Sequence, residues 1–342
     1  MTFARALLGW YDRERRDLPW RRAPSAYATL VSELMLQQTV MATVLPYFAR
    51  FTARFPDFAA LAAAPEDEVL ALWSGLGYYA RARNLHKAAR AIAEHGLPQD
   101  EAGLRALPGV GEYTAAVLAA IVLGQRTFAL DGNAARVMAR LCAEDRPIDV
   151  PAVRVALRAR GQALVPADRP GDFAQAVMEL GALVCTPTAP ACDHCPVSRF
   201  CQAHAQERAG ELPARTPRAA RLKVALACVA VERAGRVLLV KRPAGGLLAG
   251  TWALPSVEPA KGESDEGACG RALAALGLAA SGVVEPAGEV RHIFTHRDVT
   301  ARVLRARAAG RARGEARWVS AAELPALALS SFARKTLGLV KG

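Results

Sequence analysis

The chain reads as two domains of different class, an all-α domain followed by a smaller α/β domain. Three observations predict this. Helix formers with apolar residues three and four apart recur through residues 26–142. From residue 223 onward the apolar period becomes two. Between these patterns, residues 202–223 carry two prolines, five Arg/Lys and two Glu with little periodicity, which reads as a linker.

In the first region the spacing predicts helices over 27–51, 66–73, 81–95, 113–123 and 134–142, with two more within 151–184. In the second it predicts strands over 223–232, 237–241, 252–257, 283–293 and 299–306, with a helix over 266–276 between the third and fourth. No internal repeat is visible. At 342 residues and 52% hydrophobic content, the chain can bury a core in each domain. The net charge of +12 favours a polyanionic partner, nucleic acid or a membrane surface; an arginine-rich composition is the plainer explanation. No run reaches the ~20 apolar residues of a spanning helix, and the N-terminus turns charged at once, unlike a signal peptide. Cys142, Cys228 and Cys269 are scattered and odd in number, which argues against a secreted disulfide framework. These features point to a cytoplasmic protein with no membrane association.

Four further cysteines, Cys185, Cys192, Cys195 and Cys201, are spaced C-x6-C-x2-C-x5-C. Short loops let such thiolates close on one metal centre at little entropic cost. Both zinc and a [4Fe–4S] cluster accept four sulfurs. Only Cys192 and Cys195 form the C-x-x-C knuckle that most zinc ribbons use twice, so the spacing favours iron–sulfur.

The segment Leu107-Pro108-Gly109-Val110-Gly111 lies between two predicted helices. Its glycines allow a tight turn whose N–H groups, beside the next helix's start, suit a DNA phosphate. Alone, it is equally an ordinary helix–helix turn.

Taken together, LPW at 18–20, SELMLQQT at 32–39, WSGLGYYARARNLHKAA at 73–89, LPGVGEYTA at 107–115, LDGNAARVMARL at 130–141 and the cysteine loop resemble the helix-hairpin-helix glycosylases of the endonuclease III superfamily. Within it the chain is most similar to the adenine DNA glycosylase (MutY) family. The resemblance implies a six-helix barrel over about 23–133 within a glycosylase domain of residues 1–205, packed with a helical domain that carries a [4Fe–4S] cluster on the four cysteines. It further implies a linker over 206–222 and a Nudix-like α/β domain over 223–342. In that family Glu33 matches the catalytic acid and Asp131 the second carboxylate. Tyr113 and Asn133 match active-site hydrogen-bonding positions. Arg16, Trp20, Arg21, Leu36 and Met41 match the surroundings of the flipped adenine. Gln38 and Tyr78 match residues that wedge into the duplex, and Leu107, Gly109, Val110 and Gly111 belong to the DNA-binding hairpin.

The chemistry of these residue types agrees. Cleaving an N-glycosidic bond needs a proton for the leaving base and negative charge beside the developing oxocarbenium ion, two roles for a carboxylate pair. Glu33 has Leu30 and Leu36 three residues to either side, and apolar surroundings raise a carboxyl's pKa. Asp131 precedes a predicted helix, where ionisation is favoured. Without the resemblance, a surface glutamate and a plain helix cap would explain them equally well. Bifunctional relatives place a Schiff-base lysine where this chain has Tyr113, so a monofunctional enzyme is expected.

In the second domain, KRPAGGLLAGTWALPS at 241–256 resembles the opening of the family's Nudix-like domain. Phe294-Thr295-His296 matches its 8-oxoguanine-reading loop, with Thr in place of Ser but a hydroxyl retained. The following helix lacks the R-E-x-x-E-E pattern that holds magnesium, so pyrophosphate hydrolysis is not expected. Seven arginines between 297 and 317 stand against only Asp298 and Glu315, a solvated face or a phosphate contact. The implied substrate is double-stranded DNA holding adenine opposite 8-oxoguanine or guanine, bound by a monomer at the nucleoid.

Overall fold

The computed structural model describes residues 1–217, 219–243 and 245–340. Arg218 of the expected linker, Ala244 of the 241–256 motif, and Lys341 and Gly342 lie outside the described residues. The chain divides into two compact units. The first comprises 1–38, 55–62 and 87–218; the second comprises 39–54, 63–86 and 219–342.

The first unit is helical. An N-terminal helix, Phe3–Glu14, is capped by Thr2, whose hydroxyl accepts from Arg5 N. It buries Phe3, Leu7 and Tyr11 against the helix Pro170–Leu183. Phe3 and Phe173 meet edge to face at 6.2 Å, a geometry that the ring quadrupoles favour. Phe128 joins this core beside Gly161, where a β-carbon would come within 2.4 Å of its ring. That clash explains a glycine inside the helix Pro151–Leu164.

The expected helix over 27–51 is two helices, Ala26–Leu36 and Met41–Arg54. The break falls where Gln38 adopts φ +55°, a left-handed conformation that ends a helix and gives no sign in the apolar period.

The second unit holds the sheet: β1 (Leu222–Arg233), β2 (Arg236–Lys241), β3 (Trp252–Ala253), β4 (Ser256–Val257), β5 (Leu278–Ile293), β6 (Arg297–Gly310) and β7 (Ala316–Ser320). The order is β3-β2-β1-β6-β5, with β4 on β1 and β7 on β2. β1 and β6 run parallel from Leu222↔Arg297 to Val231↔Ala306; the other pairings are antiparallel. Alternate β1 residues serve opposite faces, as a pleated strand requires. Cys228 and Ala230 pack towards Phe332, Ala333 and Leu337 of the helix Ser331–Gly338. Ala227, Val229 and Val231 pack towards Ala268, Cys269 and Leu273 of the helix Asp265–Ala274. The single strand expected over 252–257 is split into β3 and β4 around Leu254-Pro255, and β7 was not anticipated.

Candidate active site

Glu33 sits in the last turn but one of the helix Ala26–Leu36, among the buried side chains of Leu30, Leu34 and Met35. It keeps some solvent-accessible surface yet lies deep among protein atoms, and that depth governs its proton equilibrium. Burial pushes its pKa up to about 7, and the negative charge of Asp131 adds to the rise. A hydrogen bond from Tyr113 and the charge of Arg21 oppose it. Tyr113 Oη donates to Glu33 Oε2 at 2.7 Å, with Met178 Sδ at 2.9 Å as an alternative acceptor. Burial also holds the Tyr113 phenol well above its ordinary pKa, so it remains a donor.

Asp131 is the N-cap of the helix Gly132–Leu141 and accepts from Ala134 N at 2.6 Å. Asn133 Nδ2 donates to its other oxygen at 3.1 Å. These bonds favour the carboxylate, as expected for a helix start, but burial outweighs them and the net shift is upward. The sequence-based expectation of favoured ionisation misses this desolvation. The backing continues inward. Arg136 Nη2 donates to Asn133 Oδ1 at 2.8 Å and to Gly181 O at 2.6 Å, while Arg136 Nε donates to Cys185 O at 2.8 Å. A β-carbon on Gly181 would stand 2.7 Å from that of Asn133, so this glycine sets how closely the two helices approach.

Arg16 and Arg21 converge on Glu179, a side chain 1% exposed. Arg16 donates through its backbone N at 2.8 Å, Nε at 2.8 Å and Nη2 at 2.7 Å. Arg21 donates through Nη2 at 2.9 Å and reaches Gln175 through Nε at 3.0 Å. The guanidinium groups overcome burial and hold Glu179 down near pKa 2. Trp20 is buried and Leu36 half-buried in the same unit. Met41 belongs to the second unit and is half-buried at the start of its helix.

The hairpin lies between the helices Glu101–Ala106 and Glu112–Ile121. Leu107 and Val110 point into the protein, whereas Gly109 and Gly111 are exposed, with Gly109 at φ +77°. Gln38 and Tyr78 share an unusual backbone: both are exposed and left-handed, at φ +55° and +50°. Non-glycine residues in that region carry strain of about 1–3 kcal/mol and cluster at functional sites.

Phe294, Thr295 and His296 form the turn between β5 and β6, closed by Phe294 N donating to Arg297 O at 2.8 Å. Thr295 and His296 are exposed, and Thr295 Oγ1 lies 2.6 Å from Tyr78 Oη. Two of the seven arginines of the nearby run are ion-paired within the domain: Arg302 with Asp265 and Glu289, and Arg317 with Glu323.

Cys185, Cys192, Cys195 and Cys201 line one pocket with about 300 Å³ of atom-free space, part of it open to solvent. Arg140 Nη1 donates to Cys185 Sγ at 3.2 Å, and the Cys201 thiol donates to Arg140 O at 3.3 Å. Burial raises the thiols of Cys192 and Cys201 and pushes Cys195 up to about 11. Among the described residues no three such side chains are drawn into a formed metal site. The donor set nevertheless fits a four-sulfur centre: four thiols face one void, and cationic Arg140 complements thiolate charge.

Residues 31–159 match the HhH-GPD superfamily of base excision DNA repair proteins, and residues 226–339 match the NUDIX domain. The mouse adenine DNA glycosylase is 38% identical over 98% of this chain and 77% of its own. The chain belongs to the adenine DNA glycosylase family. The human adenine DNA glycosylase is 34% identical over all of this chain and 74% of its own. A thermostable thymine-DNA glycosylase of known structure shares 26% identity with a TM-score of 0.54, covering 60% of this chain and 95% of its own. An endonuclease III–DNA complex at 21% identity and TM-score 0.50 shares the fold of the same region. The protein is thus a DNA glycosylase of the base excision repair class, built as a helical HhH-GPD domain followed by a Nudix-like sheet domain. Among its described residues no helix is long and apolar enough to cross a membrane.

Several residues of this site were not visible in the sequence. Glu179 is an acid among apolar neighbours in the second half of the helix Pro170–Leu183, VMELGAL, and that is its one signal in the sequence. Gly181 was similarly marked, as a glycine inside a helix. Arg136 and Arg140 looked like ordinary arginines on a periodic helix; both are buried.

Proposed function

We propose that this glycosylase hydrolyses the N-glycosidic bond of adenine paired with 8-oxoguanine or guanine in double-stranded DNA, as a monofunctional enzyme. The observation that carries the reading is Glu33, a carboxyl whose pKa of about 7 leaves it a proton donor near neutral pH. Adenine must leave the stack to reach it. Tyr113 fills Oε2 of Glu33, which directs the acid proton to Oε1 and towards adenine N7. Asp131, held by Ala134 N and Asn133, stabilises the positive sugar, and water completes hydrolysis. Tyr113 offers no amine for a Schiff base, so the product is an abasic site. Arg16, Trp20, Arg21, Leu36 and Met41 surround the base.

Residues 1–205 carry this chemistry and 223–342 the recognition of the opposite base, joined by 206–222. Gln38 and Tyr78 enter the duplex. The hairpin of Leu107, Gly109, Val110 and Gly111 holds its backbone, and Phe294, Thr295 and His296 read 8-oxoguanine. Cys185, Cys192, Cys195 and Cys201 would hold a [4Fe–4S] cluster, which supplies structural support for the DNA-binding surface. The protein acts as a monomer at the nucleoid.

The test is excision on duplexes carrying A:8-oxoguanine, A:G, T:G and thymine glycol, with and without alkali. The first two should yield strand breaks only after alkali. Cleavage of thymine glycol without alkali would defeat the reading. Anaerobically purified protein should be yellow-brown with about four irons per chain; stoichiometric zinc without iron would defeat the cluster assignment.

A further inference from the structure

Within the second unit, one serine ties the turn that carries Tyr78 to the segment that supports the hairpin Phe294–His296. Ser74 follows the helix Glu66–Trp73 and is 7% exposed. Its hydroxyl donates to Leu329 O at 2.7 Å, and its oxygen accepts from Leu329 N at 3.2 Å and Arg334 Nη2 at 3.0 Å. A hydroxyl offers one donor and two acceptor sites, so all its capacity is used. Leu329 O also accepts from Tyr79 Oη at 3.0 Å, which fills its second lone pair. The backbone of one residue is therefore held at both its N–H and its C=O, by residues 255 and 250 positions away.

Both ends of this clamp lead to the tip. On one side, Gly75 and Gly77 turn the chain with φ +107° and +73°, and Trp73 Nε1 donates to Gly77 O at 3.2 Å. A β-carbon at Gly75 would fall 2.1 Å from Tyr47 Oη, which itself donates to Ser74 O at 2.8 Å. Arg81 donates to Leu76 O and Gly77 O, each at 3.3 Å, and lies over the ring of Tyr78 at 5.2 Å. The turn thus has few ways to move. On the other side, Leu329 leads into the helix Ser331–Gly338, whose Phe332 packs on Phe294 at 6.0 Å and His292 at 5.8 Å. The circuit closes at Tyr78 Oη and Thr295 Oγ1.

We propose that Ser74 is a specificity-positioning residue: by clamping Leu329 it fixes the separation between Tyr78 and the hairpin tip, and so sets discrimination of the base opposite adenine. This rests on the assignment of Phe294–His296 as the reading loop. Without the clamp, the tip leans on the exposed hydroxyl pair of Tyr78 and Thr295, which water replaces readily.

The test measures single-turnover rates on A:8-oxoguanine and A:G for full-length Ser74→Ala, Tyr79→Phe, and a Thr295→Ala/His296→Ala control. Ser74→Ala should lower the 8-oxoguanine preference about tenfold, the value of one or two hydrogen bonds, with the A:G rate kept. Tyr79→Phe, which leaves Ser74 in place, should lower it less. Amide exchange at Leu329 should quicken in Ser74→Ala. An unchanged ratio, equal losses on both substrates, or unaltered exchange at Leu329 would overturn the proposal. If the control lowers the ratio while Ser74→Ala does not, only the clamp falls. If neither lowers it, the reading loop and the clamp fall together.

Discussion

The carboxylate pair of the helical unit and the hairpin tip of the sheet unit are built on opposite terms. Glu33 and Asp131 lie deep, each with fixed hydrogen-bond partners, and burial raises both pKa values. Thr295 and His296 stand exposed at a two-strand turn, with Tyr78 as the hydroxyl partner of Thr295. Desolvation makes an electrostatic interaction strong and a misplaced charge costly. Exposure makes each interaction weak and replaceable. On the proposed reading, the contrast teaches that chemistry is placed where geometry is enforced by packing, whereas recognition is placed where a partner can dock.

Substitutions can break this contrast. The largest effect should come from Glu33→Gln, which keeps size but donates no acidic proton. Excision should fall by roughly 10²–10⁴-fold with mismatch binding retained, read by single-turnover cleavage and gel shift. A wild-type rate would remove Glu33 from the acid role.

Gly181→Ala attacks the same site from behind. The new β-carbon must displace Asn133, the partner of Asp131, and small misplacements at a reacting centre cost up to about 10²-fold. The rate on A:G and A:8-oxoguanine should fall together, which distinguishes it from any change at the hairpin tip.

pH sharpens the comparison further. As an acid with pKa about 7, Glu33 loses its proton as pH rises, so the single-turnover rate should drop above pH 7, about tenfold per unit. Stability follows the same group. The folded state holds a proton that the unfolded chain releases between about pH 4.5 and 7, so the Glu33 contribution declines across that window as pH rises. Glu33→Gln should therefore be more stable than wild type at pH 8, by on the order of 2–3 kcal/mol, and show little gain at pH 4.5. Thermal melts at the two pH values check this. At the exposed end, Arg302→Ala should have the smallest effect, within about 0.5 kcal/mol in stability, because its partners Asp265 and Glu289 are surface ion pairs.

Much of this arrangement was legible in the sequence. The switch from helical period to strand period located the sheet, and Asp131 does cap the helix it precedes, the plainer of the two accounts its sequence position allowed. Tyr113 and Glu33, eighty positions apart, are brought within hydrogen-bond distance. What escaped was whatever depends on contacts between distant segments. Periodicity cannot show that Gly181 meets Asn133, or that Arg136 spans from Asn133 to Cys185. Nor does the apolar pattern show a helix ending at Gln38, whose backbone is left-handed although glutamine has no preference for that region. Burial was misjudged at Asp131 for the same reason: the cap is local, but the desolvation is not.

The Arg16–Glu179 contact has a consequence for how the chain is made. Its partners are separated by 163 positions, and the N-terminal helix packs on the same late helix. A growing chain therefore exposes Leu7, Tyr11 and its two guanidinium groups until the ribosome has passed residue 183 and that helix can form. Contacts of such long range slow the search for the native state. The early segment must stay unpaired meanwhile, and its charged residues keep it soluble: MTFARALLGWYDRERRDLPW carries four arginines and three acids. The helix Phe3–Glu14 is thus made well before its partner helix and is among the last elements to find its place.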